Sequence, residues 1–256
     1  MELYSRIIGP VDAAPVVVIH GLFGASDNLM ALGRALSERY YVHIVDVRNH
    51  GQSPHSEKMS YACMAEDVHE YLVKHSLSRV SLIGHSMGGK IAMKFTSRFP
   101  DLVEHLIVAD IAPVSYSSHH RAIFSAFDAL DLGKIRSRSD AMAVFNDYIE
   151  EPAVSQFLLK SLVKVPGKGF IWRFNLKAIR SNYHLIIGDD TGDFVFNGKV
   201  LFISGDESDY VLSEYRERIL SLFPRARSKR IQGAGHWLHA QKPSVFNKLC
   251  ISFLDE

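Results

Sequence analysis

The stretch VSLIGHSMGGKIAMKF (residues 80–95) holds the residues best suited to chemistry, and it fits two different kinds of site. Gly84 and Gly88 flank Ser86 with the G-x-S-x-G spacing of a nucleophile elbow, a sharp turn that exposes a reactive serine. The same Gly84 begins the G-x-x-x-x-G-K spacing of a phosphate-binding loop, which ends at Lys90. Both motifs lie between a strand and a helix, so the local secondary structure does not distinguish them.

The residue that follows Lys90 argues against the phosphate-binding loop. Such a loop needs a serine or threonine hydroxyl directly after its lysine to hold a magnesium ion, and Ile91 occupies that position. Asp46 or Asp110 could supply the second magnesium-holding carboxylate, but such aspartates are common in any α/β protein. We therefore expect neither a nucleotide nor any other cofactor.

The nucleophile elbow requires a base, because a serine hydroxyl is a poor nucleophile at neutral pH. His236 is the candidate, since it lies near the C-terminus in GAGHWLH, in a loop after the run ARSKRIQ. Gly233 and Gly235 allow this loop to bend so that the imidazole reaches the edge of a sheet. His239 lies where a helix is predicted to begin, and we expect it to be structural.

A carboxylate must hold the base in the correct tautomer, and three aspartates are candidates. Asp110 ends the apolar run HLIVAD, which places its carboxylate at the carboxyl edge of a strand. Asp206 and Asp209 follow the next strand in ISGDESDYV and fit the expected order of Ser, Asp and His equally well. The residues alone leave this choice open.

An oxyanion hole requires two backbone N–H groups directed at the developing negative charge. Met87 should supply one, because it directly follows the serine. The loop HGLFG (20–24) after the first apolar run offers Leu22 for the other, with Phe23 beside it. The residues next to these in sequence, Phe23, His85 and Trp237, are predicted to line the substrate pocket.

The elements that must position these residues alternate between strands and helices. Short apolar runs typical of buried parallel strands occur at PVVVIHG (15–21), YVHIVDVR (41–48), VSLIGHS (80–86), HLIVADIAP (105–113) and KVLFISG (199–205). Helical spacing is found at residues 28–39, 61–76, 88–99 and 210–222. This order predicts an α/β fold with a mostly parallel sheet flanked by helices.

A cap segment, residues 115–197, interrupts this alternation. It contains three consecutive amphipathic stretches and no convincing strand, which predicts a helical insertion between late strands of the sheet. The core is then expected in two parts, residues 1–114 and 198–256. Open α/β sheets bind ligands at the carboxyl edge of their strands, so the cap segment should supply the substrate pocket.

Composition excludes several classes of protein. Lys plus Arg number 29 against 28 for Asp plus Glu, a formal charge of +1 that gives no reason to expect nucleic acid or an anionic membrane as partner. No signal peptide or membrane span is predicted. Cys63 and Cys250 read as buried thiols of a reducing compartment, so the cytoplasm is expected, and the 13 histidines form no metal-ligand pattern. We expect a monomer or a small homo-oligomer.

Taken together, these motifs resemble those of the α/β-hydrolase superfamily over essentially the whole chain. DVRNHGQS (46–53) is similar to its D-x-R-G-H-G-x-S turn, with Asn49 in place of the usual glycine. More narrowly, HGLFG, GHSMGGK, DIAPVSY, WRFNL and GAGHW resemble the bacterial YbfF-type esterases. In that group the D-I-A-P segment carries the acid, which matches Asp110, whereas the commoner acid position of the superfamily is Ser208 here.

The resemblance implies a serine esterase or thioesterase that hydrolyses small acyl esters through an acyl-serine intermediate. Its implied triad is Ser86, His236 and Asp110. Carbon–carbon bond hydrolases, lyases and cofactor-free peroxidases use the same frame, so the reaction type is less certain than the mechanism. A non-enzymatic small-molecule receptor on this fold is a further alternative.

Overall fold

The computed structural model describes all 256 residues, and its centre is a seven-stranded sheet. The strands lie in the order β1-β3-β2-β4-β5-β8-β9. Their bounds are β1 Ser5–Ile8, β2 Pro15–Ile19, β3 Tyr41–Val45, β4 Val80–His85, β5 Val103–Ala109, β8 Lys199–Gly205 and β9 Arg227–Ile231. Only β1 is antiparallel to its neighbour, and the other pairs are parallel.

Helices cover both faces of this sheet, which explains why its central strands are almost continuously apolar. The helices of the core are α1 Met30–Leu36, α2 Tyr61–Lys74, α3 Met87–Arg98, α9 Arg216–Leu222, α10 Leu238–Gln241 and α11 Pro243–Leu254. Buried residues of α2, α3 and α9 belong to the core on one face, and those of α1, α10 and α11 belong to the core on the other. Val17 and Val18 of β2 point into opposite cores, as alternate residues of a strand must.

The cap segment lies between β5 and β8, which are neighbours in the sheet. Its helices are α4 Arg121–Ala129, α5 Arg138–Asn146, α6 Pro152–Leu159, α7 Leu176–Ser181 and α8 Tyr183–Ile187. It also contains a hairpin of two antiparallel strands, β6 Leu162–Val165 and β7 Gly169–Trp172. The prediction that this segment holds no strand is therefore wrong.

The hairpin forms because the chain turns sharply at Pro-Gly-Lys-Gly. Gly167 and Gly169 adopt positive φ angles of 75° and 79°, a conformation that side chains with a Cβ rarely allow. The first strand of the hairpin, β6, follows α6 closely, and the leucine spacing that runs through both also fits a helix.

The order of elements places the predicted site at the carboxyl edge of the sheet. Ser86 directly follows β4, and Asp110 directly follows β5. His236 lies in the loop between β9 and α10. Because parallel strands end at the same edge, these three positions are adjacent in space although they are distant in sequence. No helix in the structure is both long and apolar enough to cross a bilayer.

Candidate active site

Ser86 lies at the turn between β4 and α3 in a backbone conformation that is uncommon for any residue with a side chain. Its φ is 54° and its ψ is −121°, and its N–H donates to the carbonyl of Ala109 at 2.9 Å. A Cβ at Gly84 would lie 2.2 Å from the carbonyl oxygen of Gly88. A Cβ at Gly88 would lie 2.3 Å from the carbonyl oxygen of Ile19. The two glycines therefore let strand, turn and helix approach closely enough to hold Ser86 in this conformation.

A chain of two hydrogen bonds connects the serine to a buried carboxylate. Ser86 Oγ lies 3.0 Å from His236 Nε2, and His236 Nδ1 lies 2.7 Å from Asp110 Oδ2. The carboxylate can only accept, so Nδ1 carries a proton and Nε2 presents its lone pair to the hydroxyl. In this tautomer the imidazole can take the proton of Ser86.

Asp110 is completely buried, and its carboxylate is held by polar groups on β8 and in the loop after it. Oδ1 accepts from the N–H of Gly205 at 3.0 Å, and Oδ2 accepts from the hydroxyl of Ser208 as well as from His236. These donors stabilise a carboxylate that would otherwise be costly to bury. Its backbone is also in the left-handed region, with a φ of 52°.

The two other aspartate candidates lie elsewhere. Asp206 and Asp209 are both exposed, and neither forms a hydrogen bond with His236. Asp206 accepts from the N–H of Ala234 and so helps to shape the loop that carries the histidine. Ser208, at the commoner acid position, contacts the carboxylate rather than the imidazole.

The N–H groups of Leu22 and Met87 have no acceptor within the protein. The carbonyl of Gly21 accepts from the N–H of Gly24 at 3.0 Å and from His20 Nδ1 at 2.8 Å. Because a trans peptide directs its N–H opposite to its carbonyl, the N–H of Leu22 points away from both donors. Phe23 differs, since its N–H donates to a histidine.

His50 and His20 are buried and neutral, and their rings hold the loop of residues 20–24 by hydrogen bonds. His50 accepts from the N–H of Phe23 at 3.1 Å through Nε2, and its Nδ1 donates to the carbonyl of Arg48 at 3.0 Å. His20 accepts from the N–H of Val47 at 3.1 Å through Nε2. Burial lowers the pKa of His50 to about 3 and also lowers the pKa of His20, so both rings keep the neutral form that can accept.

The three predicted pocket residues lie around a cavity of about 40 Å³ that Ser86 and His236 also line. Phe23 is buried and packs edge-on against aromatic rings of the cap segment. Trp237 lies near Phe157 of α6, with ring centroids 5.9 Å apart. His85 is buried, and its Nε2 donates to the backbone carbonyl of His236 at 2.8 Å, so it also supports the loop that carries His236.

Several cap-segment residues close the cavity, namely His120, Ile123, Val154, Phe157 and Leu158. A wider space of about 430 Å³ lies beside it and is bordered by His119, His120, Tyr210, His236 and Trp237. Both spaces are lined by apolar side chains together with polar ones, as is usual for small-molecule sites.

Sequence analysis did not predict Tyr210 or the contact that Ser208 makes. The ring of Tyr210 stacks on His236 with a centroid distance of 3.8 Å and an interplanar angle of 19°. Both residues lie in the loop after β8, and helical spacing was predicted to begin at the second of them, Tyr210. That prediction is wrong for residues 210–212, because helical structure begins with a short 3-10 helix at Ser213–Tyr215 and continues as α9 from Arg216. No spacing in the sequence identifies a loop residue that stacks on a distant histidine.

The structure also places the residues of the rival phosphate-binding motif. Lys90 is buried, and its Nζ donates to backbone carbonyls instead of facing an open site. Asp46 accepts from the N–H groups of Ser26 and Gln52 and so serves as a turn residue. No three His, Cys, Asp or Glu side chains are grouped as metal ligands would be.

This fold, with a serine at a strand–helix turn and a histidine beyond the last strand, defines a class of proteins. The chain belongs to the α/β hydrolase family, whose model matches residues 14–243. The predicted fold and the predicted class of enzyme are thereby confirmed.

Particular relatives narrow this class. The chain is 43% identical to a putative esterase/lipase of Haemophilus influenzae, over 99% of this chain and 87% of that protein. It is 39% identical to Esterase YbfF of Escherichia coli, over 95% of this chain and 94% of that protein. A solved structure described as a marine microorganism esterase matches with a TM-score of 0.95 and 38% identity, covering 98% of this chain and 99% of the other.

Proposed function

We propose that this enzyme is a serine esterase that hydrolyses small acyl esters or thioesters through an acyl-serine intermediate. The observation that carries the proposal is the chain of hydrogen bonds from Ser86 through His236 to the buried Asp110. Relatives that share 38–43% of the sequence are named as esterases or as an esterase/lipase, which supports the same activity.

In the proposed mechanism, Ser86 Oγ attacks the carbonyl carbon of the ester while His236 Nε2 takes its proton. The carbonyl oxygen becomes negatively charged, and the unpaired N–H groups of Leu22 and Met87 stabilise it. Asp110 stabilises the imidazolium that forms. His236 then returns the proton to the leaving alcohol or thiol, and the acyl group stays on Ser86 until water, activated by the same histidine, releases it as a carboxylic acid.

We further propose that residues 115–197 form a cap that closes the acyl pocket over a core made of residues 1–114 and 198–256. The small cavity of about 40 Å³ beside Ser86 favours short acyl groups over long ones. The wider space of about 430 Å³ next to His236 and Trp237 is then available to the leaving group.

The test combines covalent labelling with turnover. A fluorophosphonate probe should label Ser86, and Ser86→Ala should lose both the label and several powers of ten in kcat while its melting temperature stays close to the parent. Mass spectrometry of the labelled peptide identifies the site. A label on another residue, or none, would refute the proposed nucleophile.

The substrate class is tested by matched series of aryl esters and acyl-thioesters with acyl chains of 2 to about 12 carbons. We expect repeated turnover, with kcat/KM highest for short chains because the cavity is small. A single slow turnover with retained product would instead favour a receptor that uses the same fold.

A further inference from the structure

Lys90, the last residue of the G-x-x-x-x-G-K spacing, has no part in the proposed chemistry and is unusual in being buried. Its side chain lies in the first turns of α3 and is only 1% exposed. No carboxylate lies within ion-pair distance of its Nζ. A methionine would fill much of the same volume without removing an amine from water, so the polar contacts of Nζ are what distinguish lysine at this position.

Those contacts join the two ends of the cap segment. Lys90 Nζ donates to the carbonyl of Val114 at 2.7 Å and to the carbonyl of Gly188 at 2.6 Å. Val114 lies where the chain leaves the core for the cap, and Gly188 follows the last cap helix, α8. The entering segment (residues 111–118) and the leaving segment (residues 184–192) also contact each other, because the N–H of Tyr116 donates to the carbonyl of Ile187 at 2.8 Å.

The same two segments form one wall of a cavity beside Ser86. Ile111 and Tyr116 from the entering segment and Ile187 at the end of α8 line a space of about 30 Å³ together with Ser86 and Met87. A shift of either segment would therefore change the space available to a substrate at Ser86. Lys90 lies on the helix that begins at Met87, so it links this wall directly to the nucleophile turn.

We propose that Lys90 is a positioning residue that fixes both ends of the cap segment against α3 and so sets the substrate wall beside Ser86. It acts through Val114 and Gly188 and contacts no substrate itself. The predicted effect on kinetics rests on the proposed esterase function. The fixing of the two segments by Lys90, which we call the clamp, does not depend on that function.

The charged and titratable groups around Lys90 define how the clamp responds to pH. The rings of Tyr116 and Tyr61 lie 4.9 Å and 5.7 Å from Nζ. Burial lowers the pKa of Lys90 to about 8, and the charge of Asp189 partly opposes that shift. Burial raises the pKa of both phenols, so they stay neutral over the range in which the lysine titrates. Lys94, one turn further along α3, pairs with Asp190 at the surface.

Lys90→Met tests the clamp, and Lys94→Met is its matched control. Hydrogen exchange measured by mass spectrometry should show at least about tenfold faster opening in peptides that cover residues 111–118 and 184–192 of Lys90→Met, with the strands of the core unchanged. Lys94→Met removes the partly exposed ion pair between the same helix and Asp190, and it should change exchange by less than about fivefold, because such a pair contributes little. Equal exchange in Lys90→Met and the parent would overturn the proposal.

The parent enzyme provides an independent test that needs no variant of Lys90 to fold. When the two segments separate, Lys90 enters water, where the pKa of a lysine is about 10.4. The closed form therefore binds fewer protons than the open form between about pH 8 and pH 10. Rising pH therefore favours the closed form, and the opening constant should fall by up to about tenfold per pH unit after correction for intrinsic exchange. A flat profile in the parent would contradict a clamp at Lys90, and Lys90→Met should give that flat profile.

Kinetics test the consequence for the substrate. In Lys90→Met, KM for a short aryl ester should rise about tenfold while kcat changes less than about threefold, because the wall is loosened and the reacting groups are not. Fluorophosphonate labelling of Ser86 should persist. If the parent itself fails to turn over esters, the esterase proposal fails while the exchange data still decide the clamp. A fall in kcat without a change in KM would contradict the proposed role in setting the wall.

Lys90→Gln, which retains a shorter N–H donor, should give a smaller change in the opening measured by hydrogen exchange than Lys90→Met.

Discussion

At the scale of single residues, the position of Asp110 determines the proposed chemistry. The sequence selected Ser86 and His236 from their glycine-flanked motifs, and the structure brings both within hydrogen-bond distance. The residues alone left three aspartates open, because all of them follow a strand that ends at the same edge. What separates them is burial and the direction of the side chain, and neither follows from spacing.

Replacing Asp110 by asparagine should therefore be far more damaging than the same change at the two exposed positions. Asp110→Asn removes the charge that fixes the tautomer of His236 and stabilises its protonated form, so kcat should fall by on the order of 10⁴. Asp206→Asn and Asp209→Asn should each cost less than about tenfold, because surface carboxylates contribute little. Steady-state kinetics with one aryl ester measures all three. The assignment fails if Asp110→Asn keeps kcat within tenfold of the parent while Asp206→Asn or Asp209→Asn collapses.

At the scale of secondary-structure elements, the sequence predicted the five central strands and the helices α1, α2 and α3 well, but it missed β1 and the hairpin of the cap segment. The central strands are apolar on both faces, and this pattern has few other interpretations. β1 was missed because four residues, SRII, with mixed polarity give no period. The hairpin of β6 and β7 was missed because the leucines of α6 extend a helical spacing into the first strand, although Pro-Gly-Lys-Gly marks the turn.

The close contact between α3 and β2 gives a prediction at this scale. In Gly88→Ala the new methyl group would overlap the backbone carbonyls of Ile19 and His20, and backbone cannot move aside as a side chain can. We expect the free energy of unfolding to fall by about 2–3 kcal/mol, and turnover to fall as the elbow shifts. Gly133→Ala is the control, since the nearest atom to its methyl group belongs to a flexible aspartate side chain. Urea unfolding of both variants measures the difference, and equal midpoints would show that the elbow tolerates the methyl group.

At the scale of the whole molecule, buried histidines couple stability to pH. Burial lowers the pKa of His43 to about 4 and the pKa of His50, His120 and His239 to about 3. The unfolded chain takes up protons below about pH 6.5, whereas these folded-state histidines remain neutral until much lower pH. Their neutral forms therefore contribute stability that is complete above about pH 6.5 and is lost as the pH falls toward 3.

Removing one such group should flatten this dependence. His239 is buried, its Nδ1 has no partner, and it packs near Phe246, so His239→Phe should fold. Between pH 6.5 and pH 5, the free energy of unfolding of His239→Phe should fall by about 1–2 kcal/mol less than that of the parent. Urea unfolding at several pH values measures the slope, with His184→Phe at an exposed position of the cap segment as the control. Identical slopes for His239→Phe and the parent would show that this histidine does not contribute.

The hydrogen bond between Tyr116 and Ile187 has a consequence for how such a chain can vary. The cap segment leaves and rejoins the core at two backbone segments that lie side by side, and it is inserted between β5 and β8, which are neighbours in the sheet. We therefore expect that about 80 residues can be exchanged between such chains without a change in the order of the strands in the sheet. A chimera that carries the corresponding segment of a relative must match this junction and also the core residues that the segment contacts elsewhere, among them Phe23, Asn49, Tyr61 and Trp237.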